Sequence, residues 1–350
     1  MNVTDTFPVI KLFLLTVLSF SVTILWTPAL THFLYKHKLG KKIRDDASAP
    51  IFSKLHQKKS GTPTFGGVLI WGTTLFLGLV FFYLDSLFNG EFISGLNFLS
   101  RSETLLPLGA LVATALVGLV DDYLNVKGIG PYGGGLKIRY RLLIYTVIAS
   151  VGAWWFFSKL DWDLIHVPFI GNFEIGWWYI PIFIFVIVST SFSVNEIDGL
   201  DGLAGGTLLA AFGAYAAIAF ALGRYDLAAF CGVIVGALFA FLWFNIPPAR
   251  FFMGDTGAMA LGTTLGIVAM LTNTALVLPI IGLLFVIESL SVIIQLSARR
   301  LLKRKIFQSA PIHHHLEAIG WPETKVVMRF WIIAAVMAVI GVVIVVIDKT

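Results

Sequence analysis

Charge is what this sequence has least of. Only 13% of its 350 residues are Asp, Glu, Lys or Arg, about half the share usual in a soluble domain. With 57% hydrophobic residues and a mean hydropathy of +0.87, a soluble globular fold is excluded. One cysteine, Cys231, sits in an apolar stretch, so no internal disulfide is possible and the redox compartment is not reported. The net charge of +5 is spread over short loops. No soluble basic domain exists to grip nucleic acid. Low-complexity tracts, short repeats and a Walker loop are missing too.

What remains is a series of long apolar runs. Each helix that crosses the hydrocarbon core needs about 20 mostly apolar residues, and ten segments qualify: 9–35, 66–84, 104–121, 141–158, 178–194, 203–222, 227–244, 257–272, 276–298 and 329–347. The first is too long for a signal-peptide core and lacks a small-residue cleavage site, so it is read as a retained helix. The expectation is an all-α polytopic membrane protein of about ten spans, forming a single integral-membrane unit over residues 1–350.

Basic residues orient it. Lys36, Lys38, Lys41, Lys42, Arg44, Lys54, Lys58 and Lys59 share one loop. Lys127, Lys137, Arg139 and Arg141 share the second loop on that side, Arg250 lies in a third, and Arg299, Arg300, Lys303, Arg304, Lys305, Lys325 and Arg329 fall in a fourth. The other side keeps Lys11, Arg101, Lys159, Arg224 and Lys349. Both termini are therefore expected on the outer face, and the basic loops in the cytoplasm. Trp154, Trp155, Trp162, Trp177 and Trp178 suit an outer interfacial belt.

Four carboxylate-bearing motifs fall on the cytoplasmic side: Asp121-Asp122, then NEIDGLDGLAGG with Asn195, Asp198 and Asp201, then NIPPARFFMGDTG with Asn245 and Asp255, then PIHHHLEAIGW with His313, His314, His315 and Glu317. An acid at a membrane span is costly and rare without a partner or a function. Four such sites on one face need positive charge to coexist, and an oxygen-rich site of this kind suits Mg²⁺. Gly199, Gly202, Gly205, Gly206, Gly254 and Gly257 would let a polyanion approach the backbone, and a helix opening near Leu203 would aim its amides at phosphate. Small residues for helix packing are the competing reading of these glycines. The adjacent histidines, with no cysteine beside them, argue against zinc. Hydrogen bonding to phosphate or sugar is the better reading, with a solvated loop as the alternative. Glu288 is the one acid well inside an apolar run, read either as functional or as held by a buried partner such as a serine or a helix end.

GTPTFGG (61–67), DDY (121–123), DGLDGLAGG (198–206), FFMGDTG (251–257) and PIHHHLEAIGWPETKVVMRFW (311–331) together resemble the phospho-N-acetylmuramoyl-pentapeptide-transferase family. That family lies within the polyprenyl-phosphate N-acetylhexosamine-1-phosphate transferases (glycosyltransferase family 4). The resemblance implies transfer of phospho-N-acetylmuramoyl-pentapeptide from its UDP conjugate to undecaprenyl phosphate. The products are lipid I and UMP, in the first membrane step of peptidoglycan synthesis. It implies Mg²⁺ as cofactor, a homodimer, no nucleic acid, and a place in the bacterial inner membrane.

Carried over by position, Asp255 is the metal ligand and Asp121 and Asp122 are the pair near the lipid phosphate, one of which removes its proton. Asp198 belongs to the catalytic centre. Lys59, Asn195, Asp201, Asn245 and Phe252 line the nucleotide and substrate site, with Phe252 stacking on uracil, and His313, His314 and His315 border it. Direct attack by the lipid phosphate is favoured over a phospho-aspartate intermediate.

Three departures from the family pattern stand out. Asn125 stands where Lys is usual, with Lys127 as a substitute. Glu196 and Ile197 replace Leu-Thr before Asp198. Arg141 stands where Lys is usual, and at a phosphate the two are not equivalent. The rival functions are an N-acetylglucosamine-1-phosphate transferase and, from another class, a transporter, whose charges would lie near the bilayer midplane.

Overall fold

The chain folds as a bundle of long helices. The computed structural model describes residues 3–40, 56–88, 90–100, 103–130 and 134–349; Lys41, Lys42, Arg44, Lys54 and Arg101 lie outside these. In order, the elements are α1 (Val3–Lys36), α2 (Val68–Phe88), the short α3 (Glu91–Leu96), α4 (Leu105–Lys127), α5 (Ile138–Lys159) and strands β1 (Leu164–Val167) and β2 (Gly171–Glu174). Then come α6 (Tyr179–Ile197), α7 (Leu203–Ala221), α8 (Tyr225–Asn245), α9 (Asp255–Leu271), the short α10 (Leu278–Ile281), α11 (Leu283–Leu301), the short α12 (Ile312–Ala318) and α13 (Glu323–Lys349).

Among the described residues eight helices, α1, α2, α4, α5, α6, α7, α8 and α13, are long and apolar enough to cross a membrane. The other two expected spans are α9 and α11. Helix α9 has 17 residues, and every one is buried. It is the axis of the bundle rather than a lipid-facing helix. Small residues make this possible: a Cβ on Gly262 would lie 2.8 Å from the Cα of Ser191 on α6. Hydroxyls then tie the backbones together, as is common where no water competes. Ser191 and Thr263 share a 2.8 Å hydrogen bond, and Thr256 donates to the Ala115 carbonyl of α4 at 2.9 Å. Helices α7 and α8 are mostly buried, whereas α1, α5 and α13 present apolar faces outward.

Three details differ from the sequence reading. Helix α4 does not stop at the aspartates but runs on to Lys127, where Gly128 at φ +70° closes it. Asp121 and Asp122 therefore sit within a helix and are held by its rigid backbone. The run 276–298 is broken at Gly282, and α11 buries a polar face of Glu288, Ser289, Ser291 and Gln295. A two-stranded antiparallel hairpin, β1–β2, follows α5; strands of four residues are too short to show an alternation. The Asp348 carboxylate ties it to the end of α13, accepting from the Phe169 amide at 2.5 Å and pairing with His166 at 2.5 Å. Trp177 and Trp178 beside it are largely exposed, as an interfacial position requires, while Trp162 packs edge-on against Phe156. The letters of Gly128, Gly130 and Gly133 match a dinucleotide-binding spacing. They follow a helix, not a strand, so the context of that fingerprint is missing.

Because α9 touches its neighbours through small residues, Gly262→Leu is expected to overpack the axis, at a cost of about 1–3 kcal/mol. Thermal unfolding of the detergent-solubilised protein should drop by several degrees; an unchanged midpoint would remove α9 from the axis.

Candidate functional site

The acidic motifs meet at one end of the bundle. That end gathers the C-terminal ends of α4, α6 and α8 and the N-terminal ends of α2, α5, α7, α9 and α13. Backbone pairing begins the assembly. The Phe252 amide donates to the Pro63 carbonyl, and the amides of Gly66 and Gly67 donate to the carbonyls of Phe252 and Met253, each at 2.8 Å. GTPTFGG and FFMGD are thus laid side by side. Gly67 must be glycine because the backbone of Gly257 occupies the space a Cβ would take. Gly254, at φ +75°, turns the chain into α9.

Asp122 closes this turn. Its buried carboxylate accepts from the Thr64 hydroxyl at 3.0 Å and from the first amides of α9, Asp255 at 3.1 Å and Thr256 at 3.0 Å. Those amides have no partner within their own helix, and a carboxylate there also meets the positive end of the helix dipole. Asp122 thereby fixes the position of Asp255.

Arg141, one turn into α5, holds the centre. Its guanidinium grips both oxygens of Asp255, at 3.1 and 3.0 Å, and lies 2.5 Å from Asp121. It also donates to the Asn195 side-chain oxygen at 2.9 Å, and the Asn195 amide donates to Asp255 at 2.6 Å. The second oxygen of Asp121 accepts from the Leu136 amide at 2.5 Å. Two carboxylates against one guanidinium leave one net negative charge. With the exception of that cation, every side-chain group here is a hard oxygen donor or an amide, which is the donor chemistry Mg²⁺ takes. Asp198 lies three residues beyond Asn195, half-buried at the end of α6. Its neighbour Gly199 lies against the ring of His313.

Beside this centre stands a second ion cluster. Lys59 pairs with Asp201 at 2.7 Å and with Glu323 at 2.5 Å. Glu323 also accepts from the Asp201 amide at 2.8 Å, and Asp201 accepts from the Ala249 amide at 3.2 Å. Asn245 braces the same loops. It accepts from the Gly202 amide at 2.9 Å and donates to the Phe251 carbonyl at 2.8 Å. Phe252 is half-buried beside it. Glu323 escaped the sequence reading; its one signal is an acid opening the last apolar helix, directly after GWP. The glycines turn out to serve packing. A Cβ on Gly205 would strike Leu242 and one on Gly206 would strike Trp331, whose indole donates to the Gly202 carbonyl at 3.0 Å. The start of α7 is therefore covered rather than open to phosphate.

The three histidines face three different partners. His313 and Glu288, both fully buried, approach to 3.0 Å, so Glu288 faces a histidine rather than a serine. His314 meets Glu317 at 2.8 Å, and the same Glu317 oxygen lies 3.1 Å from His56. His315 accepts from the Gln308 amide at 3.3 Å. Burial, aided by neighbouring His313, pushes His314 down to about 3, so this imidazole is neutral at pH 7. Burial alone would raise Glu317, but hydrogen bonds from His314 and His56 outweigh it and hold the carboxyl down at about 2. Lys127 does not reach the aspartates; its ammonium lies over the Tyr123 ring, 5.6 Å from the centroid.

An all-α membrane bundle with a cluster of acids and bases at one end defines a class, and the comparisons bear on it directly. Residues 104–273 match the model of the family described as Glycosyl transferase family 4. Over 342 residues the chain is 39% identical to a phospho-N-acetylmuramoyl-pentapeptide-transferase of Chloroflexus aggregans, covering 94% of this chain and 88% of that one. It is 38% identical over 329 residues to the enzyme of that name from Geobacillus kaustophilus (93% and 94% covered). It is 39% identical over 331 residues to that from Shouchella clausii (93% and 95%). The chain belongs to the phospho-N-acetylmuramoyl-pentapeptide-transferase family.

The cap on α9 is testable. Asp122→Ala should lower stability by about 1–3 kcal/mol, the cost of leaving buried donors unmatched, and Asp122→Asn, which keeps one acceptor, by less. Thermal unfolding in detergent with both variants equal to the unsubstituted protein would show that α9 needs no cap.

Proposed function

We propose that this protein transfers phospho-N-acetylmuramoyl-pentapeptide from UDP to undecaprenyl phosphate, forming lipid I and releasing UMP. The observation that carries this reading is the Asp121–Arg141–Asp255–Asn195 cluster, standing beside the Lys59–Asp201–Glu323 cluster at one end of a membrane bundle. The names of its relatives support it, as does the chemistry: a soluble anionic donor and a membrane-held phosphate can meet only at such an end.

The basic loops support a cytoplasmic position for this end with both termini outside, and the family resemblance supports the inner membrane of a bacterium and a homodimer. Asp255, with Asn195, would hold Mg²⁺, which neutralises charge on the pyrophosphate when bound. Arg141 supplies fixed positive charge to the same region, and phosphoryl transfer needs chiefly positioning and charge neutralisation. Of the pair, Asp121, which shares Arg141 with Asp255, would take the proton from the lipid phosphate, while Asp122 holds the first amides of α9. An oxygen of the lipid phosphate then attacks the donor's β-phosphorus. The new P–O bond forms as the bond from that phosphorus to UMP breaks, and the electron pair leaves with UMP. Asp198 faces this reaction from the end of α6. Lys59 and Asp201, with Phe252 and Asn245, form the nucleotide side, and the segment His313–His315 borders the sugar and peptide.

The test is UMP release by purified protein given each UDP-sugar with undecaprenyl phosphate. Turnover should require the muramoyl-pentapeptide donor and Mg²⁺; equal use of UDP-N-acetylglucosamine would overturn the substrate assignment. Asp255→Ala should reduce turnover by at least about a thousandfold, the scale on which removing a charge-stabilising group acts. Lys59→Ala should instead raise the donor KM about tenfold or more, with the lipid KM unchanged. A loss confined to the lipid substrate would remove Lys59 from the nucleotide side.

A further inference from the structure

We propose that His56, His314 and Glu317 form a binding site for a first-row divalent cation, zinc foremost, separate from the all-oxygen cluster around Asp255. The three residues are buried, and their ligating atoms lie within 4.8 Å of one another. Nε2 of His56 and Nδ1 of His314 both aim at one oxygen of Glu317, at 3.1 and 2.8 Å. In a tetrahedral zinc site with bonds of about 2.0–2.1 Å, neighbouring ligand atoms stand about 3.3 Å apart, so binding requires the two contacts to Glu317 to open slightly and the two imidazole nitrogens, within 4.8 Å of each other, to close around the ion. His314 and Glu317 are three residues apart on α12, on one face of the helix. His56 comes from the loop between α1 and α2, far away in sequence.

The donor set selects the metal. Two imidazole nitrogens and a carboxylate favour zinc over Mg²⁺, which takes oxygen. The histidine triplet had argued against zinc because adjacent side chains do not converge. They do not converge here either: His313 faces Glu288 and His315 faces Gln308. One of the three joins a histidine from elsewhere. The consequence is mechanical. A cation here would fasten the loop bearing His56 onto α12, and Lys59 is three residues further along that loop. The inference stands on these contacts alone and is independent of which sugar the protein transfers.

The experiment uses full-length protein purified in detergent without a histidine tag or chelator, titrated with zinc in a large excess of Mg²⁺. Bound zinc is read by elemental analysis, and cobalt in its place by visible absorption. The unsubstituted protein and His315→Ala should bind about one equivalent tightly, with zinc raising their unfolding temperature. His56→Ala and the near-isosteric Glu317→Gln should each lose that equivalent and the thermal shift. Asp255→Asn should retain both. No zinc in the unsubstituted protein, or an undiminished equivalent in His56→Ala or Glu317→Gln, would overturn the site and leave the triad as a hydrogen-bonded clamp.

Discussion

A guanidinium set between two carboxylates is the interaction on which the rest of this site depends. Asp121 and Asp255 come from different helices and would repel each other where they are largely shielded from water. Arg141 lies 2.5 Å from the first and 3.0 Å from the second, which offsets their repulsion and lets them stand close. A buried charge pair contributes little net stability, but breaking one leaves an uncompensated charge at considerable cost. The cluster therefore acts less as a source of stability than as a specification. It fixes how α4, α5, α6 and α9 meet.

The scaffold is built to hold that specification still. Asp255 begins a helix buried along its whole length, and its first amides are clamped by Asp122. The paired segments 61–67 and 251–255 prevent the preceding loop from moving independently. Around this rigid centre lies a second layer of ion pairs, joining Lys59, Asp201 and Glu323, and a third of histidines and acids. Each layer brings together loops from opposite ends of the sequence. Movement of one loop is therefore felt by the others.

Much of this was legible in the residues. Nine of the ten apolar runs correspond to single helices and the run 276–298 to the pair α10 and α11, because a hydrocarbon solvent imposes length and composition on each segment separately; among the described residues eight of these helices are long and apolar enough to cross a membrane. The acidic motifs stood out because charge at a span is rare without a reason. What was not legible depends on distant partners. Glu323 became visible only once Lys59, 264 positions away, was found against it, and His56 only through Glu317, 261 positions away. The glycines of 199–206 looked like a phosphate cradle because close approach to a ligand and close approach to a helix demand the same missing side chain; Leu242 and Trp331 decide for packing at Gly205 and Gly206. Likewise, apolarity cannot separate α9, buried among helices, from α1, which turns its face outward.

The substitution of Arg141 tests the central claim most directly. UMP release should be followed at saturating Mg²⁺ and donor for Arg141→Ala and Arg141→Lys, with unfolding temperature as a parallel readout. If this cation organises the carboxylates for phosphoryl transfer, the alanine variant should be slower by at least about a hundredfold, and added Mg²⁺ should not restore it. The lysine variant, which keeps the charge but not the fork, should fall between the alanine variant and the unsubstituted protein. An alanine variant that releases UMP at the unsubstituted rate would contradict the account.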